Sequence, residues 1–317
     1  MPEQDNLLEV QGLTKRFGPI LAVDDVSFAV SSGEVLGFLG PNGAGKSTTM
    51  RLITGFLPPT DGTAVVCGFD VTRQPIEARR RIGYLPEGAP AYGDMTPDRL
   101  LGFVADIRDL KGDGRRRRLT DVIERLELDS VLHRPIETLS KGFKRRVGLA
   151  QAILLDPAVL ILDEPTDGLD PNQKHQVREL LIEMAGEKAV VISTHILEEV
   201  EAVCTRAVVI SDGRLVADSK PAELQARSRY HKAVGLRVAE TDTRTATDCL
   251  ERLACVNKVE VRAGVPGIAE LLAVPADGGD ILAPVREAVV ASGVTVQEIY
   301  VERGRLDDVF RDLTVGG

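Results

Sequence analysis

Short apolar segments alternate with segments of helical periodicity along the first two thirds of the chain. This pattern predicts strands at residues 7–10, 22–30, 34–39, 64–67, 159–162, 189–193 and 207–211. It predicts helices at residues 46–53 and 171–185, and a third helix that follows the strand at 189–193 and ends at about residue 203. Turns are predicted at residues 17–19 and 61–62. Short apolar strands that alternate with helices are typical of a mostly parallel sheet, whose two faces are covered by the helices.

Between about residues 90 and 156 the apolar positions recur at spacings of three and four, which is typical of helices. No strand pattern interrupts this stretch, although strands are predicted on both sides of it. The sequence therefore predicts a helical subdomain inserted into the sheet domain.

The apolar signal lapses at residues 219–230, and a second pattern follows it. Strands are predicted at 233–238, 256–262, 268–274 and 294–301, and helices at 243–253, 281–292 and 306–313. The order β-α-β-β-α-β is that of a small α+β, ferredoxin-like domain. Two domains are thus expected, at residues 1–225 and 230–317. Because this scaffold has no fixed function, dimerisation, metabolite sensing and bracing of the first domain all remain open for the second, with dimer bracing or regulation favoured.

The composition is that of a globular protein, with 317 residues, 43% hydrophobic, 27% charged and 4% aromatic. The net charge of −9 argues against sequence-independent nucleic-acid binding, because that binding depends on Lys and Arg. No apolar run approaches the roughly 20 residues of a membrane span, and the acidic N-terminus does not resemble a signal peptide. A cytoplasmic location is therefore expected. The four scattered cysteines show no metal spacing and are predicted to be buried structural thiols, at Cys67, Cys204, Cys249 and Cys255.

A phosphate-binding loop is predicted between the strand at 34–39 and the helix at 46–53, where the sequence GPNGAGKS fits the pattern GxxxxGK[ST]. Its glycines allow backbone N–H groups to turn toward phosphate oxygens, and the helix adds its positive dipole end. Lys46 can reach the β- and γ-phosphates, and the Ser47 hydroxyl can ligate Mg²⁺. The alternative, a glycine-rich turn without a ligand, is disfavoured by the flanking strand and helix. The predicted nucleotide-binding residues are Gly40, Pro41, Asn42, Gly43, Ala44, Gly45, Lys46, Ser47 and Thr48.

Two acidic residues follow the apolar strand at 159–162, and such a strand delivers them to the sheet edge where ligands of open α/β sheets lie. Asp163 is predicted to hold Mg²⁺, and Glu164 to orient and deprotonate the attacking water. The alternative for Glu164 is a solvated carboxylate at a strand end. His195 follows the strand at 189–193 in the same register and is predicted to point at the γ-phosphate. A lone histidine is more often structural, but its place after another sheet strand favours a catalytic role.

In their order along the chain, these motifs resemble those of ATP-binding-cassette (ABC) transporter ATPase subunits over about residues 7–217. Residues 40–47 resemble the Walker A loop, 159–164 the Walker B segment, 139–143 (LSKGF) the LSGGQ signature, 165–170 (PTDGLD) the D-loop and 193–195 the switch histidine. The ordered set is far more specific than any single motif. The resemblance implies an α/β P-loop NTPase fold that uses ATP and Mg²⁺.

The same resemblance implies roles for residues that the pattern alone does not identify. Phe17 matches the aromatic residue that stacks on adenine, and Glu87 stands in the Q-loop, where Gln is usual. Asp170 belongs to the D-loop, in which Asp167 replaces the commoner Ser or Asn. The signature residues would act in trans, on ATP bound by a second copy packed head-to-tail. They are Ser140, Lys141, Gly142 and Phe143, of which Lys141 and Phe143 depart from the family's Gly and Gln.

Within the family, the sequences of several motifs are similar to those of ABC-2-type exporter ATPases of the gliding-motility-associated, multidrug, natamycin and daunorubicin groups. The expected protein is an ATP-hydrolysing subunit, peripheral on the inner face of the cell membrane, that powers a separate transmembrane permease through a surface near residues 84–99. A homodimer is expected, and a heterodimer with a related ATPase is the other arrangement.

Two other functions share part of this sequence pattern. A soluble ABC ATPase acting on nucleic acid or ribosomes is the alternative, supported by basic runs at residues 79–81 and 115–118. Such runs are more typical of solvated helix faces, and the single cassette and negative net charge also argue against nucleic acid as a partner. A P-loop small-molecule kinase is disfavoured because such kinases lack a segment like LSKGF.

Overall fold

The computed structural model describes residues 6–89, 91–263 and 265–315. The chain divides into two compact units, the first ending at Ser219 and the second beginning at Lys220. Among the described residues, no helix combines the length and the apolar character that crossing a membrane requires.

The first unit contains ten strands and seven α-helices in its described residues. The strands are β1 (Asn6–Phe17), β2 (Ile20–Ser31), β3 (Val35–Leu39), β4 (Asp61–Val66), β5 (Phe69–Asp70), β6 (Ile82–Leu85), β7 (Val159–Asp163), β8 (Ala189–Thr194), β9 (Arg206–Ser211) and β10 (Arg214–Ser219). The helices are α1 (Lys46–Ile53), α2 (Pro75–Arg80), α3 (Pro97–Ile107), α4 (Gly112–Arg125), α5 (Lys141–Ile153), α6 (Pro171–Ala185) and α7 (Leu197–Val203).

The central sheet has six strands in the order β10-β9-β3-β8-β7-β6. Its neighbouring strands are parallel except for β10, which pairs antiparallel with β9. Successive residues of β7 enter two different apolar cores, Leu160 and Leu162 on one face and Val159 and Ile161 on the other. The predicted mostly parallel sheet, buried on both faces, is therefore confirmed.

The strands β1, β2, β4 and β5 do not join the central sheet but form a second, antiparallel one in the order β2-β1-β4-β5. Both β1 and β2 are 12 residues long, longer than the predicted 7–10 and 22–30. Shifts in their pairing register between Val10 and Leu13, and again between Leu13 and Lys15, break the alternation of apolar and polar positions. A bulge disrupts the alternation of apolar and polar residues, so the strands predicted from the sequence are too short. The second sheet is not predicted from the sequence at all.

The inserted segment is helical, as predicted, and consists of α3, α4, α5 and two short 3-10 turns. Local signals start the first of these helices, since Thr96 accepts a hydrogen bond from the Arg99 N–H and Pro97 occupies the first turn. Leu101 of α3 and Leu149 of α5 are fully buried in the same core as Leu160 of the central sheet. The insertion thereby covers one face of that sheet.

The second unit begins with α8 (Pro221–Gln225), within the stretch where the apolar pattern lapses. The predicted β-α-β-β-α-β order is confirmed, and its sheet has the strand order β12-β13-β11-β14 with antiparallel neighbours. A core that includes Leu236, Leu250, Leu271 and Val285 joins the sheet to its two helices. The elements are β11 (Val234–Ala239), α9 (Thr243–Glu251), β12 (Val256–Ala263), β13 (Ile268–Pro275), α10 (Leu282–Ser292), β14 (Val296–Val301) and α11 (Leu306–Val315).

Candidate functional site

The loop at residues 40–45 leaves β3 and leads directly into α1, and close backbone contacts require two of its glycines. A Cβ atom on Gly45 would lie 2.6 Å from the Ala22 carbonyl oxygen, and Gly45 itself has a φ of +107°. A Cβ atom on Gly40 would lie 2.6 Å from the Ile210 carbonyl oxygen. Larger residues would collide with β2 or β9 here, so the glycines hold the loop in one compact shape.

Lys46, the first residue of α1, is buried inside this loop. Its Nζ donates hydrogen bonds to the carbonyl oxygens of Gly40, at 2.7 Å, and Pro41, at 3.2 Å. Burial lowers the pKa of Lys46, while the negative charges of Glu164, Asp163 and Glu87 oppose that shift. The ammonium group therefore lies near three carboxylates, at the amino end of a helix.

The carboxylate of Asp163 ends β7 and has one oxygen free for a further ligand. The residue is 1% exposed, and its Oδ1 accepts a hydrogen bond from Ser193 Oγ on β8. Its Oδ2 is buried with no hydrogen-bond partner among the described residues. An unpaired buried carboxylate oxygen is costly, and a bound cation would satisfy it.

Hydroxyl and carboxylate oxygens are ligands that suit Mg²⁺, so Ser47 and Asp163 fit the predicted metal site. Among the described residues no group of three or more His, Cys, Asp or Glu could hold a metal ion. Magnesium bound there would take further ligands from phosphate oxygens and water, as magnesium sites commonly do.

Glu164 and His195 meet at the carboxyl edge of the central sheet. The Nδ1 atom of His195 lies 2.8 Å from Glu164 Oε1, a hydrogen bond that the imidazole donates. The parallel register pairs Asp163 with Ser193, so the residues that follow β7 and β8 emerge side by side. Burial raises the pKa of Glu164, and the hydrogen bond from His195 opposes that rise. A carboxylate with a raised pKa is suited to accept a proton.

The Q-loop residue and the loop–helix segment are also brought together. Glu87 follows β6, and its Oε2 lies 3.4 Å from Ser47 Oγ, which donates to it.

Phe17 ends β1 and is 45% exposed, and Lys15 Nζ lies 5.3 Å from the centroid of its ring. The exposed ring offers a flat apolar face on the hairpin that also carries Ala22 beside the loop.

The signature segment caps α5 and packs against the D-loop of its own chain. Ser140 Oγ accepts a hydrogen bond from the Phe143 N–H at 3.3 Å. A Cβ atom on Gly142 would lie 2.8 Å from Gln173 Oε1, and one on Gly168 would lie 3.1 Å from Lys141 Cβ. Among the described residues, no hydrogen bond joins the segment at 140–143 to the loop at 40–47.

Asp170 has a clear local role at the start of α6. Its side chain accepts a hydrogen bond from the Gln173 N–H at 2.9 Å, and Pro171 follows it in the first turn. This is the usual chemistry of a helix N-cap. Its predicted role in the D-loop at bound nucleotide stays a prediction.

Arg145 is a site residue that the sequence does not reveal. Its side chain is almost completely buried on α5, and its Nη1 donates to the carbonyl oxygens of Pro86, at 3.4 Å, and Asp163, at 3.3 Å. Its Nη2 lies 3.5 Å from Asp167 Oδ2. The residue thus links the signature helix to the segments that carry Glu87 and Glu164. In the sequence it is one of three consecutive basic residues, typical of a solvated helix face.

A second missed residue, Glu199 on α7, is buried beside the strand that leads to His195. One signal could have found it. Leu197, Val200 and Val203 are buried at helical spacing, and Glu199 shares their side of the helix with Val203 four residues on. An acidic residue on the buried side of a helix needs partners in the folded chain.

A wide groove opens between β6, α3 and α5, with a volume of about 1020 Å³. We call it the Tyr92 groove. Tyr92 and Phe103 meet edge to face there with ring centroids 6.2 Å apart, and both are exposed. Phe56 and Ile107 also line the groove, whose surface overlaps residues 84–99.

The loop between β3 and α1, with acidic residues at the end of β7 in the same sheet, defines a P-loop ATPase domain with a helical insertion. A family model described as ABC transporter matches residues 23–167. An uncharacterised ABC transporter ATP-binding protein of Bacillus subtilis is 32% identical over 97% of this chain and 96% of its own length. The chain belongs to the family of ABC transporter ATP-binding proteins.

Other relatives carry more specific names. A daunorubicin resistance ATP-binding protein of Streptomyces coeruleorubidus is 34% identical over 97% of this chain and 94% of its own length. A probable multidrug ABC transporter ATP-binding protein of Escherichia coli is 37% identical over 71% of this chain, a match that spans only 39% of that relative.

Solved structures agree with the fold. One, titled as the ATP-binding subunit of an ABC transporter, has a TM-score of 0.65 and 33% identity over 69% of this chain and 92% of its own. Another, cbiO1 of Clostridium perfringens, described as part of an ABC transporter complex, has a TM-score of 0.62 and 29% identity over 70% of this chain and 92% of its own.

Proposed function

We propose that this chain is the ATP-binding and ATP-hydrolysing subunit of an ABC-2-type exporter. The observation that carries the proposal is the contact between Glu164 and His195, which directly follow β7 and β8 of the sheet whose strand β3 leads into the P-loop. Relatives named for multidrug transport and daunorubicin resistance support export as the direction. The chain would then work at the inner face of the cell membrane, from the cytoplasmic side.

Each residue of the site has a defined task in this proposal. Lys46 and the amino end of α1 bind the phosphates of ATP, and Phe17 stacks on its adenine. Ser47 and Asp163 hold Mg²⁺, which when bound neutralises charge on the phosphates. Glu164 accepts the proton of the attacking water, and the hydrogen bond from His195 holds its carboxylate in place.

The signature segment completes the site of a second subunit. Ser140 is exposed at the start of α5, with a hydroxyl and a helix amino end available to a phosphate. The packing of Gly142 against the D-loop supports concerted movement of both segments when two subunits close on ATP. We favour a homodimer, with a related ATPase as the other possible partner, and residues 230–317 as a dimer brace or regulatory domain.

The Tyr92 groove is the surface that we assign to the permease. Exposed aromatic residues in one concave patch are typical of protein interaction sites. Phe56 and Ile107 are largely exposed at this groove, and they would pack against a short helix of the membrane subunit. The groove begins at β6, directly before Glu87, so an occupant would lie next to the nucleotide site.

The deciding experiment is co-purification with the polytopic membrane protein encoded beside this chain. We expect a stable complex in detergent whose ATPase rate differs from that of the isolated chain. A Phe56→Ala, Phe103→Ala double variant should lose the complex and keep ATP binding. Binding to RNA or ribosomes that weakens with salt, without binding to the membrane protein, would instead support the soluble ABC ATPase.

A further inference from the structure

The carboxylate of Glu199 is buried, 4% exposed, and both of its oxygens accept hydrogen bonds. Thr166 Oγ1 donates to Oε1, and Thr194 Oγ1 donates to Oε2 at 3.0 Å. The two threonines are themselves buried. Among the described residues, one cation forms an ion pair with it: Lys174 on α6, whose Nζ lies 3.9 Å from Oε1. A buried carboxylate is costly unless it is hydrogen-bonded, and here each oxygen has a hydroxyl donor.

The two threonines belong to the two segments that carry the Glu164–His195 pair. Thr194 directly precedes His195, and its Oγ1 also accepts a hydrogen bond from the Ile196 N–H at 3.0 Å. The backbone on both sides of His195 is thereby tied to Glu199.

Thr166 lies two residues after Glu164, in a segment that begins with an unfavourable backbone conformation. Glu164 has a φ of +53°, in the left-handed region that a side chain other than that of glycine, asparagine or aspartate rarely adopts. Such a conformation persists only where surrounding contacts hold it. The N–H of Glu164 donates to the Ser193 carbonyl oxygen at 3.0 Å. The hydrogen bond from Thr166 to Glu199 holds the other end of the segment.

We infer that Glu199 is a positioning residue for hydrolysis. By holding Thr166 and Thr194 at once, it sets the distance between Glu164 and His195. Its burial keeps it away from the nucleotide, so it acts through these neighbours and takes no direct part in the reaction. The inference rests on the proposed role of Glu164 in ATP hydrolysis.

The test compares Glu199→Gln with Glu198→Gln, its exposed neighbour on the same helix. Glutamine keeps the volume of Glu199 but can accept only through its one carbonyl oxygen, so one threonine hydroxyl loses its acceptor. For Glu199→Gln we expect kcat to fall about tenfold, the affinity for ATP to stay within about twofold and the Tm to change little. Glu198→Gln should match the unaltered chain in all three measurements.

A double-mutant cycle shows whether Glu199 acts through Glu164. In single-turnover assays, Glu199→Gln should slow hydrolysis further by less than about twofold when Glu164→Gln is already present. Thr194→Val should reproduce the loss in kcat and should not add to that of Glu199→Gln.

Three results would overturn the inference. The first is a kcat for Glu199→Gln within twofold of the unaltered chain, and the second is a kcat loss accompanied by an equal loss of ATP affinity or by a lower Tm that explains it. The third is a full additional loss in the Glu164→Gln background. If instead the proposed role of Glu164 in hydrolysis were wrong, the Glu164→Gln variant alone would hydrolyse ATP at a nearly normal rate.

Discussion

The carboxylate of Glu164 and the imidazole of His195 are 2.8 Å apart although 31 residues separate them in the chain. The register of β7 and β8 brings the two strand ends together, and the polar side chains beneath them hold the two segments. In the proposed function, this contact joins the residue that accepts the proton of water to the residue that orients it.

Replacing Glu164 by Gln should preserve ATP binding and slow hydrolysis by ~10²–10⁴-fold, the usual contribution of a positioned general base. The amide keeps the size of the side chain but does not accept a proton from water. Phosphate release at saturating ATP measures the rate, and Glu187→Gln, at an exposed loop position, is the control. Near-normal turnover would remove Glu164 from the role of base.

Replacing Lys46 by Ala should weaken nucleotide binding itself, because the ammonium group lies inside the P-loop where the phosphates would bind. Titration with a fluorescent ATP analogue measures the affinity. Lys111→Ala removes a lysine that is 80% exposed and should leave the affinity unchanged. Equal affinities for both variants would contradict the phosphate site.

Replacing Phe17 by Ala should weaken ATP binding by the stacking energy of about 1–3 kcal/mol, and Phe17→Tyr should preserve most of it. Phe56→Ala is a matched control, since Phe56 is another exposed phenylalanine and lies in the Tyr92 groove. Calorimetric titration distinguishes the two. If Phe17→Ala and Phe56→Ala bound ATP equally well, adenine would stack elsewhere.

Replacing Arg145 by Met should lower the free energy of unfolding by about 1–3 kcal/mol, because the carbonyl oxygens of Pro86 and Asp163 lose a buried donor. Urea denaturation, followed through the unfolding transition of the first unit, measures the change in the free energy of unfolding. Arg116→Met alters an arginine that is 84% exposed and should have little effect. Indistinguishable unfolding curves would show that Arg145 is replaceable by any long side chain.

The thiol of Cys204 should resist alkylation in the folded chain at pH 8, since burial raises its pKa to about 12 and the nearby Glu199 carboxylate adds to the shift. The thiolate is the reactive form, and at pH 8 the folded chain holds almost none of it at this position. Mass spectrometry after iodoacetamide treatment locates the labelled cysteines. Labelling should appear once the chain is denatured, and rapid labelling of this partly buried thiol in the folded chain would contradict its raised pKa.

Local patterns predicted a large part of this structure. The bounds of α1 and α6 agree with the predicted helices, since the signals that start them lie within a few residues, as with Asp170 and Pro171 at α6. The separate antiparallel sheet was not predicted, because pairing between β1 and β4 joins residues far apart in the chain and bulges blur the period.

The same distinction applies to the site. Motifs placed Lys46 at the start of a helix and Asp163 and His195 at the ends of strands, where the structure has them. The contacts of Arg145 and Glu199 were missed, because a charged residue in a helix gives no local sign of which distant backbone or hydroxyl groups it will meet. Long-range packing decides these contacts, and only the folded chain displays them.

The packing of Lys141 over Gly168 bears on how this signature segment can vary. The Cβ of Lys141 occupies space that a side chain at position 168 would need, and the positive φ of Gly168 independently favours glycine there. Lys141, which replaces the first glycine of the family's LSGGQ signature, is therefore accommodated because Gly168 has no side chain. Among related chains, we expect positions 141 and 168 to have changed together, so that a side chain occurs at one position only where the other is glycine.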